Sequence, residues 1–358
     1  MKKSTPKYVQ LVQWIRQKIQ QDGLEKGDRF YTEHALAQLF SVSRQTVRQA
    51  INVLINEGVL ESRQGSGTYI AAPMTVKRSS SQTIGIIVTY FDEYIFPSII
   101  NGIESVVSEK GYTLQVACTR NDNEKEAAAL RMMINNNVDG LIVEPTKSAL
   151  PNGNLDIYKD IAEKEIPLIF LNSSYPEIKF PYVSLDDVKA GSIAAECLIE
   201  YGHKKIAMAL KSDDIQGHLR YRGAMETAAQ RGVQISKENT FWFTTEDIKY
   251  LEDEAERFMR YMGDCTAVIC YNDQTAASVL KILKAQGKNV PEEVSVIGID
   301  DASQATSCTP QLTTVAHPKK LMGSVIAHSL FDLIDGNGNN VTYKFTPELV
   351  IRDSVKKI

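Results

Sequence analysis

Apolar residues recur three and four apart over the first part of the chain. They fall at Val9, Val12, Ile15 and Ile19 in YVQLVQWIRQKI, at Leu36, Leu39 and Phe40 in TEHALAQLF, and at Val47, Ala50, Ile51 and Leu54 in RQTVRQAINVL. That period predicts three amphipathic helices, each burying one stripe. Thr32 and Ser43 stand where a hydroxyl can receive a free N–H of a first helical turn, and Gly58 stands where the third helix should end. VLESRQGSGTYI then alternates around Gln64–Gly67, predicting two short strands and a turn. The stretch AAPMTVKRSSSQ, with its proline, basic pair and serines, has the composition of a solvated linker.

From Thr83 the pattern changes to short continuous apolar runs: TIGIIVTY, YTLQVAC, DGLIVEP, IPLIFLN, KIAMAL, AVICYN and VSVIGIDD. Helix-like segments such as FPSIINGIESVVSEKG, EKEAAALRMMINN and QTAASVLKILKAQG separate them. This alternation predicts an α/β fold, with parallel sheets covered on both faces by helices. About 275 residues are many for one sheet, so two similar lobes are expected. The expected organisation is a helical domain over 1–72, a linker over 73–82 and a two-lobed domain over 83–358.

Charge separates the two parts. Residues 1–82 carry twelve Lys/Arg against six Asp/Glu, which gives +6; the net charge of −4 for the whole chain then leaves −10 for the rest. A basic end on an acidic body points to a polyanionic partner for the first part alone. The five cysteines are odd in number and lack CxxC spacing, so they read as reduced thiols, with neither a zinc site nor a disulfide framework. No apolar run is long enough to span a membrane, and the N-terminus has no signal-peptide core, so a cytoplasmic protein is expected.

If Val47, Ala50, Ile51 and Leu54 are buried, Arg44, Gln45, Arg48 and Asn52 face outward. Arginine and glutamine at a helix N-terminus can pair with guanine and adenine edges in the major groove, while Thr46 and the helix-start amides can hold phosphate. A solvated polar face would explain any one of these residues. The order of basic block, turn, helix and glycine-flanked hairpin favours double-stranded DNA. The stretch YTEHALAQLFSVSRQTVRQAINVLINEGVLESRQGSGTYI resembles the winged helix-turn-helix of the GntR family. That resemblance implies DNA contacts from Glu33, Arg44, Thr46 and Arg48, with Gln45 beside them, and from a wing of Gln64, Gly65, Ser66 and Gly67. Lys7 and Tyr8 would contact the DNA backbone. Glu33 could accept from a base edge, or orient Arg48. The family further implies a homodimer on a two-part operator.

In two-lobed parallel folds, ligands bind at the carboxyl ends of strands. Tyr90, Tyr94, Glu144, Asn172, Asn272 and Asp300 follow strand-like runs, and Phe96 offers a further ring near them. Acids, amides and an arginine suit a polyol, whose hydroxyls each donate and accept. Asn172 and Asp273 could instead cap helices; the cap is favoured for Asp273, a structural role for Asp301, and a ligand role for Asn172, Arg220 and Asp300. His203 is expected to pack at a helix–strand joint. No GxxxxGK[ST], HExxH, GxSxG or strand-linked GxGxxG occurs, so an enzyme is the lesser reading, and no cofactor or metal is expected.

SLDDVKAGSIAAECLIEYGHKKIA, RYRGAMETA, CYNDQTAASVLKILKAQGKNVPEEVSVIGIDD and PQLTTVAHPKKLMG are similar, in this order, to the effector-binding domain of the LacI family. That domain shares its fold with periplasmic sugar-binding proteins. The resemblance implies effector contacts from Arg220 of RYRG, Asn272 of NDQ and Asp300 of GIDD. Asn172 and His317 stand where many relatives carry Asp and Gln or Arg. The linker also stands where those relatives have a hinge helix. The combined resemblance implies a dimeric repressor released by a small sugar, with L-arabinose expected. Another pentose, a hexose, a nucleoside, or a sugar-binding protein without DNA remains the alternative.

Overall fold

The structure, a computed structural model, describes residues 6–63, 66–71, 80–92, 94–247, 251–337 and 342–358. The chain divides into two compact units, Met1–Ser79 and Ser80–Ile358. In the first, α1 (Lys7–Gln21), α2 (Glu33–Phe40) and α3 (Arg44–Asn56) precede an antiparallel hairpin of β1 (Leu60–Arg63) and β2 (Gly67–Ile70). The Thr32 and Ser43 hydroxyls accept from the N–H groups of Ala35 and Thr46, satisfying donors that a first helical turn leaves free. Val47, Ala50, Ile51 and Leu54 are all buried, and Gly58, at φ +73°, follows α3.

Two expected stripes need correction. α1 buries Leu11, Ile15 and Ile19, so the stripe runs in steps of four, and Val9 and Val12 are half-buried beside it. In α2, Leu36 is buried but Leu39 is 58% exposed. The Trp14 ring packs edge-on against Phe40 at 4.9 Å, which turns Phe40 toward the core and Leu39 away from it. Gln64, Gly65 and residues 73–79 of the expected linker lie outside the described residues. Ser80 and Ser81 hydrogen-bond the Asp139 carboxylate, so residues 80–82 of the expected linker are fastened to the second unit.

Two six-stranded sheets build the second unit. One is wholly parallel: β4 (Thr113–Cys118), β3 (Thr83–Val88), β5 (Gly140–Val143), β6 (Leu168–Leu171), β7 (Tyr182–Leu185) and β13 (Tyr343–Phe345), in that order. The other runs β9 (Thr240–Phe243), β8 (Ile206–Lys211), β10 (Ala267–Cys270), β11 (Ser295–Asp300), β12 (Thr313–Ala316) and β14 (Glu348–Val350), with β14 antiparallel at its edge. Every strand-like run read from the sequence is a strand; β7, β9 and β12 to β14 are additional. β5, β6, β8, β10 and β11 are buried along their whole length, as strands covered on both faces must be.

The chain passes between the lobes three times. After β7, α7 (Asp187–Glu200) packs on α8 (Ile215–Gln230) and on the second sheet; after β12, α12 (Lys319–Ile334) returns to α4 (Phe96–Glu109) and the first sheet; β13 then leads to β14. Asp187 and His317 therefore lie at two of the three crossings. Among the described residues, no helix is long and apolar enough to cross a membrane.

Candidate functional site

The loops that follow β3, β5, β6, β8, β10, β11 and β12 open onto one cavity of about 480 Å3, within the usual size range of small-molecule sites. All nine residues expected to contact the effector line it: Tyr90, Tyr94, Phe96, Glu144, Asn172, Arg220, Asn272, Asp300 and His317.

Arg220 is the centre of the charged part. Its Nε donates to Asp187 Oδ1 at 2.8 Å, Nη1 donates to the Tyr271 carbonyl, and Nη2 reaches Asp300 Oδ1 at 3.4 Å. The guanidinium also lies over the Tyr271 ring at 4.9 Å. Glycines make this possible. A Cβ on Gly191 would collide with the Arg220 carbonyl oxygen and one on Gly223 with that of Val188, so only glycine lets α7 and α8 approach closely enough to pair Asp187 with Arg220. The glycine of RYRG is thus a packing residue.

Asp300 ends β11 at φ +106°, a left-handed backbone held by its surroundings. Its Oδ2 accepts from the Tyr94 hydroxyl at 2.6 Å, and that hydroxyl in turn accepts from the Asp273 N–H at 3.2 Å. Tyr94 precedes α4 of the first lobe, so this bond joins the lobes across the cavity. Burial and the nearby Asp300 and Asp273 charges raise the Tyr94 phenol well above its ordinary value, which keeps it a donor.

On the opposite wall, Glu144 Oε2 accepts from the Thr89 N–H at 2.8 Å and the Thr89 hydroxyl at 2.5 Å, while Oε1 accepts from Asn172 Nδ2 at 2.9 Å. Burial raises the Glu144 carboxyl, and these donors oppose the shift. Asn172 Oδ1 and His317 Nδ1 are buried without a protein partner. Such atoms are costly unless something bonds to them. Burial pushes His317 down to about 4, leaving a neutral imidazole, and pushes Asp187 up to about 6 against the pull of Arg220.

Asp273 does not cap α10 (Asp273–Ala285): Asn272 does, accepting from the Thr275 N–H at 2.9 Å. Asp273 instead accepts from the Ala302 N–H at 2.7 Å and the Thr314 hydroxyl at 2.6 Å. Asp301 pairs with Arg352 at 2.6 Å, outside the cavity. His203 bonds Thr266 and the Lys356 carbonyl, tying the C-terminal segment to the second lobe. Asn121, Asp187, Lys211, Asp214 and Tyr271 also line the cavity and were not singled out from the sequence. Within the charged run KSDD, Lys211 is buried and paired with Asp214 at 2.6 Å. The position of Lys211 at the end of an apolar strand run was the available signal.

In the first unit, Arg44, Gln45 and Arg48 are exposed on the outer face of α3, and Thr46 is half-buried. Glu33, at the N-terminus of α2, receives Arg48 Nε at 2.9 Å, and Arg44 Nη2 lies 3.4 Å from His34 Nδ1. Lys7 is exposed, whereas the half-buried Tyr8 packs on the helical core. In the hairpin, Ser66 is exposed and its hydroxyl bonds Tyr69 at 2.5 Å; Gly67 takes φ +119°. Among the described residues, no group of three or more His, Cys, Asp or Glu could hold a metal ion.

Comparisons with known proteins match each unit separately and the chain as a whole. Residues 7–70 match the bacterial regulatory proteins of the gntR family, and residues 195–355 match a periplasmic binding protein-like domain. The arabinose metabolism transcriptional repressor of Geobacillus stearothermophilus is 39% identical over 99% of both chains. That of Halalkalibacterium halodurans is 35% identical over 97% of this chain and 96% of its own. Among solved structures, a periplasmic binding protein/LacI transcriptional regulator from Alkaliphilus metalliredigens QYMF, complexed with D-xylulofuranose, aligns with a TM-score of 0.65. It is 25% identical over 77% of this chain and 99% of its own.

Proposed function

The chain belongs to the family of arabinose metabolism transcriptional repressors, and on that premise we propose that it binds operator DNA as a homodimer and is released by L-arabinose. The reading places Arg44, Gln45, Thr46 and Arg48 in the major groove and the 64–67 wing and Lys7 along the backbone. The sugar occupies the cavity between the lobes. Two of its hydroxyls meet Asn172 and His317, others meet Arg220, Asn272 and Asp300, and Tyr90 and Phe96 cover its C–H face.

The observation that carries the sugar reading is the set of buried, unpartnered atoms Asn172 Oδ1, His317 Nδ1 and Gln216 Oε1, all on residues that line one cavity. Each needs a hydrogen-bonding partner, and a compact polyol supplies several. The named relatives support arabinose as that polyol. Release requires the sugar to favour the state with the lower operator affinity, typically by about 1–3 kcal/mol. Linkage makes the effect reciprocal. Calorimetry of L-arabinose with and without saturating operator should give sugar affinities that differ by the same factor as operator affinity with and without sugar. Equal sugar affinities in the two titrations would refute the release mechanism.

A further inference from the structure

The geometry points to Glu144 as the positioning residue that decides which end of the Asn172 amide the effector meets. This rests on the sugar-binding reading and deepens it: the effector must present a hydroxyl that donates to Asn172 Oδ1.

An amide side chain can turn over and exchange its donor and acceptor ends, so something has to hold it. Here the Thr89 N–H and hydroxyl both donate to Glu144 Oε2, which fixes the carboxylate, and Glu144 Oε1 then receives Asn172 Nδ2 at 2.9 Å. Turning the amide would set its carbonyl oxygen against the carboxylate. The backbone adds a second constraint, because Asn172 sits at φ +64° with its N–H bonded to the Val183 carbonyl, so the side chain starts from a fixed point. With Nδ2 committed to Glu144, Oδ1 is the end left over; it is buried and has no protein partner. A ligand that only accepts at this point leaves that oxygen unsatisfied. A hydroxyl satisfies it.

Glu144→Gln inverts the logic without changing the shape. The two Thr89 donors hold the glutamine carbonyl oxygen, so its NH2 faces Asn172. The asparagine must then turn, accept from that NH2 and offer its own NH2 to the effector. A donor requirement becomes an acceptor requirement at one sugar hydroxyl.

The test uses the full chain and calorimetry with L-arabinose and its single-position deoxy and fluoro analogues. Fluorine keeps weak acceptor character but cannot donate. In the wild type, one position should lose roughly tenfold to a hundredfold in affinity equally on deoxygenation and on fluorination. In Glu144→Gln, the fluoro analogue at that position should bind several-fold better than the deoxy analogue, while the other positions keep their wild-type ratios. Asn172→Ala should abolish the donor requirement at that position. An unchanged fluoro-to-deoxy ratio in Glu144→Gln, or a donor requirement that survives Asn172→Ala, overturns the assignment while leaving sugar binding intact. Failure of the wild type to bind any neutral sugar would instead overturn the sugar reading, and this assignment with it.

Discussion

Arg220 and Asp187 form an ion pair of 2.8 Å whose side chains are 5% and 3% exposed, and Asp300 completes it from the far side at 3.4 Å. Breaking such a pair from one end leaves uncompensated buried charge, at a cost of about 3–5 kcal/mol. Arg220→Ala should therefore lower the melting temperature of the protein as well as abolish its response to sugar. Arg220→Met combined with Asp187→Asn removes both charges of the close pair, and should recover much of the stability with none of the sugar binding. Thermal melts and calorimetry on the same samples separate these effects. A single Arg220→Ala variant that melts like the wild type would deny the pair a structural role.

Glu33 and Arg48 allow a decision between the two roles open to the acid. Arg48→Ala is expected to weaken operator binding by about 1–3 kcal/mol and blur its sequence preference, with sugar affinity unchanged. If Glu33 serves by holding Arg48 Nε at 2.9 Å, Glu33→Gln should have little effect once Arg48 is gone. A double-mutant cycle measured by operator titration would return additive losses if Glu33 reads a base itself.

His317 and Asp187 push the pH dependence of stability in opposite directions. His317 is lowered to about 4 by burial, so between pH 6.5 and 4 the unfolded chain binds a proton that the native one refuses, and acid destabilises. Asp187 is raised to about 6, so between about pH 4 and 6 the native chain keeps a proton that the unfolded one has released, and stability falls as pH rises through that window. His317→Gln deletes the first effect alone. Relative to the wild type it should gain about 2 kcal/mol on going from pH 7.5 to 5, seen as a growing difference in melting temperature. A difference that is flat with pH would mean that His317 titrates alike in both states.

The cavity was legible in the sequence because strand–helix alternation places strand ends together whatever the loops contain. Glu144, Asn172, Asn272 and Asp300 each follow an apolar run, and that suffices to bring them to one cleft. Asp187 was missed because its strand, YVSL, is four residues long and lacks the continuous apolar character of its neighbours. Asn121 was missed for a different reason: it is buried where it meets the facing lobe, its Nδ2 donating to Asp214 at 3.1 Å and to Thr245 at 2.6 Å across the cleft. Periodicity reports one element's own faces; it is silent on what a second lobe will cover. Leu39 shows the same limit on a smaller scale, since the choice between Leu39 and Phe40 was made by Trp14, twenty-five residues away.

The charge balance of the cavity leads to a prediction about which sugars it refuses. Lys211 is engaged by Asp214, and Arg220 by Asp187 and Asp300, so neither buried cation is free to neutralise an added anion. Glu144 is held by the neutral groups of Thr89 and Asn172. Arg120 is exposed at the cavity lining, where solvent and salt screen it. A phosphorylated or carboxylated pentose would bring its charge into a wall of carboxylates and would have to be desolvated to enter. Thermal shifts and calorimetry over L-arabinose, its phosphates and its aldonate should therefore show the neutral sugar bound at least about tenfold more tightly, with the gap widening as salt is lowered. A phosphorylated pentose that binds more tightly than the free sugar would mean that Arg220 or Lys211 exchanges its protein carboxylate for the ligand.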